Sequence, residues 1–470
     1  MGKASRLFNG QAEQTLYARV TPSPEQREFL QQQWNALADH LRTQLARHGY
    51  PISTWLQGSY KYGTLIKPVR RGEEYDVDLG LYFEWEADDG VAEPMPVQLR
   101  EWVQRELLAY QAQHPELKKV SQPPKERCSR AIYAQRFHID TPTYHLDPNT
   151  DHRRLATLSG VWENSDPKRL YKWFMQIVSD GDRDQLRRLI RYLKGWAAVA
   201  FDGAEEARPS SIVLTVLVAQ IFRGMWLDRL GGMNDDDALT AVIKSMHEQL
   251  SESRDVWNPV DNTESLNRIS KEAWPAFMTR LNALRDCAEN AEAAEDEFGA
   301  AIAWSEAFSF LMPLPEADEI EIADPRASGA LMQIPDIQVE VGNEWEFKAA
   351  VATYRNEVPA ISKGNVLRFT ILNPQIVPAM AQVEWTVRNE GNDAETIGDL
   401  GHTRGGIGMH SVEERTLYVG KQYMDVIVRC NGSVYAARRV AVYISNSKAL
   451  APRATPRAWI TLRSKKGRRR

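Results

Sequence analysis

Apolar positions along the chain change their period several times, and each change marks an element. After Ser23-Pro24, the residues Phe29, Leu30, Trp34, Leu37, Leu41 and Leu45 recur at helical spacing until Gly49. The Ser-Pro start supplies an N-cap and a first-turn proline, so a long amphipathic helix is predicted. From 74 to 85 the period falls to two. Val77, Leu79, Leu81 and Phe83 alternate with polar residues, as in a strand packed on one face. A second strand is predicted over 131–140. Helical spacing then governs 166–312, with segments at 182–201, 211–226, 237–250, 264–291 and 295–311. The Pro-containing stretch 312–335 has no periodicity and reads as a linker. Beyond it come short β-rich runs at 337–341, 345–354, 366–372, 383–388, 415–419, 424–430 and 434–444, punctuated by Gly and Asn. These suggest a small β-sandwich. The predicted fold class is α+β: a mixed core with a helical second lobe, then a β-rich domain.

Composition narrows the class. A chain of 470 residues, 43% hydrophobic and 26% charged, is long enough for two or three domains and is neither disordered nor fibrous. The three cysteines, Cys128, Cys287 and Cys430, lie far apart. They offer neither a disulfide framework nor a four-cysteine zinc site, and the reading is a reducing, cytoplasmic compartment. The longest apolar run, 212–222, is about half the roughly 20 residues a membrane span needs, and the first nine residues lack a signal-peptide core. No membrane partner is expected. The last twenty residues carry eight Lys or Arg and no acid. Taking those eight cations from the formal net charge of −5 leaves −13 on the rest. Such a tail can contact nucleic acid or phosphates, although a solvated terminus is the more ordinary reading.

The chemistry gathers on the two predicted strands. Asp76 and Asp78 share one strand face while Val77 and Leu79 pack the other. Paired carboxylates repel one another unless a cation neutralises them, and hard oxygen ligands suit Mg²⁺. Asp140 ends the second strand opposite in direction to Phe137 and Ile139, so adjacent pairing of the strands brings it to the same cluster. Three carboxylates can hold two metal ions. An Asp-x-Asp alone is common on plain surface strands. Gly58-Ser59, 17 residues upstream of Asp76, adds a glycine that admits an anion to the backbone and a hydroxyl for phosphate.

The segment from Gln57 to Thr64, with Ile66-Lys67-Pro68 and then Glu74 to Gly80, resembles the cGAS/DncV-like nucleotidyltransferases of the polymerase-β superfamily. The likeness continues through Phe137-His138-Ile139-Asp140, the helix bearing Lys194, Pro209-Ser210-Ser211 and Asn258-Pro259-Val260, covering about residues 1–315. The β-rich region is similar, more loosely and through features such as Tyr418-Val419-Gly420, to a C-terminal sensor domain found on such synthases. The resemblance implies a polymerase-β-like catalytic core with a helical lobe over 1–315, a linker over 316–335, a sensor-like domain over 336–446 and a basic tail over 447–470. It further implies that Asp76, Asp78 and Asp140 bind Mg²⁺ (or Mn²⁺) and catalyse, and that Gly58 and Ser59 hold the donor triphosphate with Gln57 close by. Lys194 and Ser210 would supply further phosphate contacts. ATP and other NTPs would be the substrates, a cyclic di- or trinucleotide the product, and a downstream effector of antiphage (CBASS) signalling the partner.

Other signals carry less. His138, His145 and His152 recur every seven residues, but with Cys128 as the one nearby thiol they make a poor zinc site. Trp162, Trp173, Trp196 and Tyr144 can stack a base, with core packing the commoner role. His402, Arg404 and the glycines 405, 406 and 408 read as a hairpin or surface loop more readily than as a ligand loop. Two other functions fit the same motifs: transfer of one nucleotide to a protein or RNA acceptor, and a catalytically silent nucleotide sensor.

Overall fold

Two short helices, α1 (Ser5–Asn9) and α2 (Leu16–Val20), precede the long α3 (Pro24–Leu45). Ser23 caps α3 in a reciprocal box: its hydroxyl accepts from the Gln26 amide, and the Gln26 side chain accepts from the Ser23 amide. Then follow β1 (Ile52–Gln57), α4 (Gly58–Tyr62), β2 (Tyr75–Glu84), α5 (Pro96–Gln113), β3 (Leu117–Val120), β4 (Cys128–Tyr133), β5 (Phe137–Leu146), β6 (Arg153–Ala156) and β7 (Trp162–Asn164). These seven strands form one sheet, with β1-β2-β5-β4-β3 in order and β6 and β7 added beyond β5. Strands β2 and β5 run parallel, and their other partners are antiparallel. The computed structural model describes residues 2–12, 14–86, 93–315, 334–343, 347–430 and 433–446. Most of the expected linker and the whole basic tail lie outside them.

One face of the sheet is sealed. Leu30, Leu37, Leu41 and Leu45 of α3 and Leu99, Val103 and Leu107 of α5 pack on Val77, Leu79, Phe137 and Ile139, all buried. Burying side chains of this size contributes about 1.5–3 kcal/mol each and fixes the strand parity. The alternate residues of β2 and β5 must then face the other way.

The helical part follows: α6 (Pro167–Gln176), α7 (Asp180–Ala200), α8 (Ser211–Gly224), α9 (Asp235–Glu252), a small hairpin of β8 (Trp257–Asn258) and β9 (Asp261–Ser265), α10 (Trp274–Ala293) and α11 (Glu297–Phe308). Two expectations need correction. The strand predicted over 131–140 is the end of β4, a turn and the start of β5. The turn closes at Arg136, whose φ of 62° lies in the left-handed region and whose guanidinium donates to the Arg70 and Glu73 carbonyls. The helix predicted over 264–291 begins only at Trp274, because 261–265 pairs as β9.

The β-rich region holds two sheets. Strands β10 (Ile337–Gly342), β11 (Ala352–Arg355), β12 (Val358–Ser362), β13 (Val366–Ile371), β14 (Gln382–Asn389), β15 (Gly401–Ile407), β16 (Ser411–Arg415), β17 (Gly420–Cys430) and β18 (Ser433–Ser445) sort into β11-β10-β13-β16 and β12-β18-β17-β14-β15. His402, Arg404, Gly405 and Gly406, expected in a hairpin or surface loop, lie in strand β15. Residues 416–419 lie outside β16, and of the strand expected over 345–354 only the end, in β11, lies in a strand among the described residues. Helix α12 (Asn392–Ile397) joins β14 to β15. The chain divides into two compact units, Met1–Ala323 with Thr386–Thr403, and Asp324–Trp385 with Arg404–Arg470. No helix among the described residues is long and apolar enough to cross a membrane.

Candidate active site

Register delivers the site. Across four neighbouring strands Gln57 stands opposite Asp78, Asp78 opposite Asp140, and Asp140 opposite Arg130. The next row sets Asp76 beside His138. Because Val77 and Ile139 are buried among α3 and α5, this whole array projects from the other face of the sheet.

Asp140 is neutralised within the array. Arg130 donates to both of its carboxylate oxygens, at 2.6 and 2.8 Å, and Lys125 Nζ lies 3.3 Å from Oδ2. Burial pushes the Asp140 carboxyl upward, but the Arg130 bonds and charge, with Lys125 and His138, leave it below its ordinary value. His138 bridges two acids, its Nδ1 at 2.9 Å from Glu74 and its Nε2 at 2.9 Å from Asp76. Burial works against its proton, yet Asp76 outweighs burial and raises its pKa. Asp78 has no such partner among the described residues. Burial, and then the charges of Asp76 and Asp140, push it up to about 8. A carboxylate held this way gains most from a cation.

Ligand atoms of Asp76, His138 and Asp140 all lie within 4.8 Å of one another, a spacing suited to one metal ion. His138, rather than Asp78, completes this set. The Asp78 carboxylate instead lies against Gly58, where an added Cβ would fall 1.8 Å from Oδ2. Gly58 has a φ of 58° and opens α4, so backbone conformation and space both require glycine there.

Helix α7 fastens the segment that follows. Arg187 Nε donates to the Tyr62 carbonyl at 3.0 Å, Lys194 Nζ to Thr64 at 2.8 Å and Arg191 Nε to Leu65 at 3.3 Å. Burial, offset in part by Asp76 and Asp78, lowers the Lys194 ammonium to about 7. Lys194 lines a cleft of about 290 Å³ together with Ser59, Asp76, Arg130, His138 and Ser211.

Of the residues singled out in the sequence, Ser59, Asp76 and Lys194 thus meet at one cleft, with Asp78 and Asp140 in the adjoining strand row. Ser210 is the N-cap of α8 and is exposed, with its neighbours Pro209 and Ser211 on the cleft. The Gln57 amide is committed elsewhere: it donates to the Tyr82 hydroxyl at 2.8 Å and accepts from Tyr144 at 3.2 Å. Those two rings stack at 4.9 Å and are buried, so Tyr144 is a packing residue here, as is Trp196. Arg130, Lys125 and Glu74 were not anticipated. Arg130 was concealed because a hairpin mistaken for one strand cannot set residue 130 opposite residue 140.

Replacing Arg130 by Met should destabilise the protein by about 3 kcal/mol at pH 7, since it leaves a buried carboxylate without its guanidinium. The lowered pKa of Asp140 means the pair stabilises above the unfolded Asp value near 3.9 and loses its effect as pH falls through the still lower folded value. Urea unfolding of both proteins at pH 7 and pH 3 should therefore show a gap that narrows in acid.

Residues 52–144, from β1 to β5 and so the whole carboxylate row, match the family model described as "Cyclic GMP-AMP synthase DncV-like, nucleotidyltransferase domain". Residues 327–445 match "Adenylyl/Guanylyl and SMODS C-terminal sensor domain". The chain thus carries a DncV-like nucleotidyltransferase domain and a sensor domain of the kind that second model describes. A cyclic GMP-AMP synthase of Escherichia albertii is 28% identical to it over 90% of this chain and 92% of its own length. A c-di-GMP synthase of Roseivirga ehrenbergii is 24% identical over 51% of this chain and 67% of its own. Among solved structures, Vibrio cholerae DncV cyclic AMP-GMP synthase in complex with the linear intermediate 5′ pppA(3′,5′)pG superposes with a TM-score of 0.53. It is 20% identical, covering 67% of this chain and 99% of that one, and this DncV-like nucleotidyltransferase shares its fold.

Proposed function

We propose that this protein joins NTPs into a cyclic di- or trinucleotide by successive nucleotidyl transfers, as a signal in antiphage defence. The observation that carries the reading is the row Asp78–Asp140–Arg130 beside Asp76, abutting the Gly58-Ser59 helix in a domain matched to DncV-like nucleotidyltransferases. Relatives that make cyclic GMP-AMP and c-di-GMP support the class of product.

The residues present fit a divalent cation, Mg²⁺ or Mn²⁺: two acids, Asp76 and Asp140, converge with His138, and Asp78, opposite Asp140 in the strand row, forms no ion pair with a described residue. Asp76, Asp78 and Asp140 would hold it, and when bound it activates an attacking hydroxyl and neutralises charge on the leaving pyrophosphate. The chain's own groups do the positioning. Gly58 and Ser59 offer backbone and hydroxyl donors to the donor triphosphate. Lys194 supplies positive charge beside it, with the α8 start at Ser210-Ser211 as a further phosphate contact. Arg130 keeps Asp140 ionised and aimed, and His138 holds Asp76 in place. Ring closure requires a linear intermediate to re-enter the same cleft so that its free hydroxyl meets the second α-phosphate.

Lys194 gives this reading a proton signature. With a pKa of about 7 it is mostly neutral at pH 8, and a bound phosphate raises that value. Metal-free pyrophosphate binding at pH 8 should take up a proton, and at pH 6 should not, because the ammonium is already formed. Calorimetry in two buffers of different ionisation enthalpy measures this, and Lys194→Arg should abolish the uptake.

The function itself is tested by incubating the full chain with all four NTPs and Mg²⁺ or Mn²⁺ and resolving phosphatase-resistant products by mass spectrometry. A cyclic product supports the proposal. NTP consumption only with a protein or RNA acceptor, ending in a single transferred nucleotide, would replace it with a transferase.

A further inference from the structure

A second cavity, of about 560 Å³, borders the segment that α7 fastens. Its wall includes Arg191, Leu65, Gly63 and Tyr60, and its rim is the start of α3 with Arg27 and Glu28. Leu65 alone is shared with the catalytic cleft. Lys194, on the cleft, and Arg191, on this cavity, sit one turn apart on α7 and hold the consecutive carbonyls of Thr64 and Leu65.

The charges here are unbalanced. Arg191 is only 6% exposed, yet its bonded contacts are one hydrogen bond through Nε to Leu65 and the Tyr17 ring 5.5 Å away. No described residue bonds its two terminal nitrogens, and no described carboxylate pairs with it. Arg27 is exposed on the rim, and its side chain makes no hydrogen bond or ion pair with a described residue. Burial lowers the Arg191 pKa, Tyr17 opposes that, and the like charges of Arg27 and Arg187 lower it further. Glu28 also lines the rim but lies beyond ion-pair distance of either arginine. A buried guanidinium without a carboxylate is costly, and the fork of donors it leaves open matches an oxyanion.

We propose that this cavity is an anion-binding site, separate from the catalytic cleft, for a small molecule bearing phosphate or carboxylate groups. The ligand's oxygens take the terminal nitrogens of Arg191 and the guanidinium of Arg27. The cavity holds more than a bare phosphate, so the ligand brings a body as well as a charge. Through Arg191 it touches the Leu65 carbonyl, next to the carbonyl that Lys194 holds for the cleft, and so an occupant reaches the phosphate-binding segment.

The test is calorimetric titration of the full chain with inorganic tripolyphosphate in metal-free, low-salt buffer, with citrate in a parallel arm. Arg27→Gln should weaken binding five- to tenfold, and Glu28→Gln should tighten it severalfold. Both residues are exposed, so neither variant threatens folding. Whichever arm shows this opposed pair of effects identifies phosphate or carboxylate as the preferred group. Binding that ignores both substitutions but is lost in Lys194→Gln places the anion in the catalytic cleft and overturns the proposal, as does no binding of either anion at millimolar concentration. The measurement reads binding alone, so it stands whether or not cyclic nucleotides are the product.

Discussion

Asp76→Asn, alone or with Asp78→Asn, is expected to reduce product formation by at least about a thousandfold, the scale on which loss of a catalytic charge set acts. The side chain of Asp76 is 53% exposed and its ion-pair partner among the described residues is His138, so the fold should survive. Mass spectrometry of the reaction, with circular dichroism as the check on folding, separates loss of chemistry from loss of structure. Full activity in the double variant would remove the carboxylate row from the mechanism.

Gly58→Ala should be nearly as damaging for a different reason. The new methyl group would sit 1.8 Å from Asp78 Oδ2 on a residue whose φ is 58°, so it displaces a catalytic carboxylate and strains the backbone together. About 1–3 kcal/mol of stability and about a hundredfold in activity are expected to be lost. Gly49→Ala is the control. That glycine is also left-handed, with φ 92°, but nothing lies within 4 Å of its added Cβ. It should cost about 1 kcal/mol and leave turnover unchanged. Equal activity losses in the two variants would show that backbone strain, rather than the approach of Gly58 to Asp78, governs the site.

Much of this was legible in the sequence where one physical rule dominated. The alternation of Val77 and Leu79 with Asp76 and Asp78 decided which way the acids point, since burial under α3 and α5 admits only one parity. The Ser23 cap and the leucine spacing located α3 for the same reason. What failed depended on long-range pairing. The turn after Tyr133 is made by Ala134, Gln135 and Arg136, none of them a usual turn residue, and Arg136 tolerates its left-handed backbone because two carbonyls hold its guanidinium. Missing that turn hid the Arg130–Asp140 pair. Strand β15 has three glycines and three polar residues among its seven and acquires its structure from pairing with β14, a partner that no local pattern reveals. His138 looked like one of three evenly spaced histidines. Its distinction comes from the parallel register of β2 and β5, which seats it between Glu74 and Asp76.

The connection between β14 and β15 changes what it means to cut this chain into parts. Residues 386–403 group with the N-terminal unit, where Glu395 bonds both Lys67 and Gln26 and the Leu400 carbonyl accepts from the buried Arg19. A protein ending at residue 323 would keep every carboxylate of the site and yet take from Lys67, a cleft-lining ammonium, the Glu395 carboxylate it pairs with. The catalytic half is therefore not a cassette. It is completed by a loan of eighteen residues from far down the chain, and evolution could exchange the distal sheets for others only where that loan is also replaced.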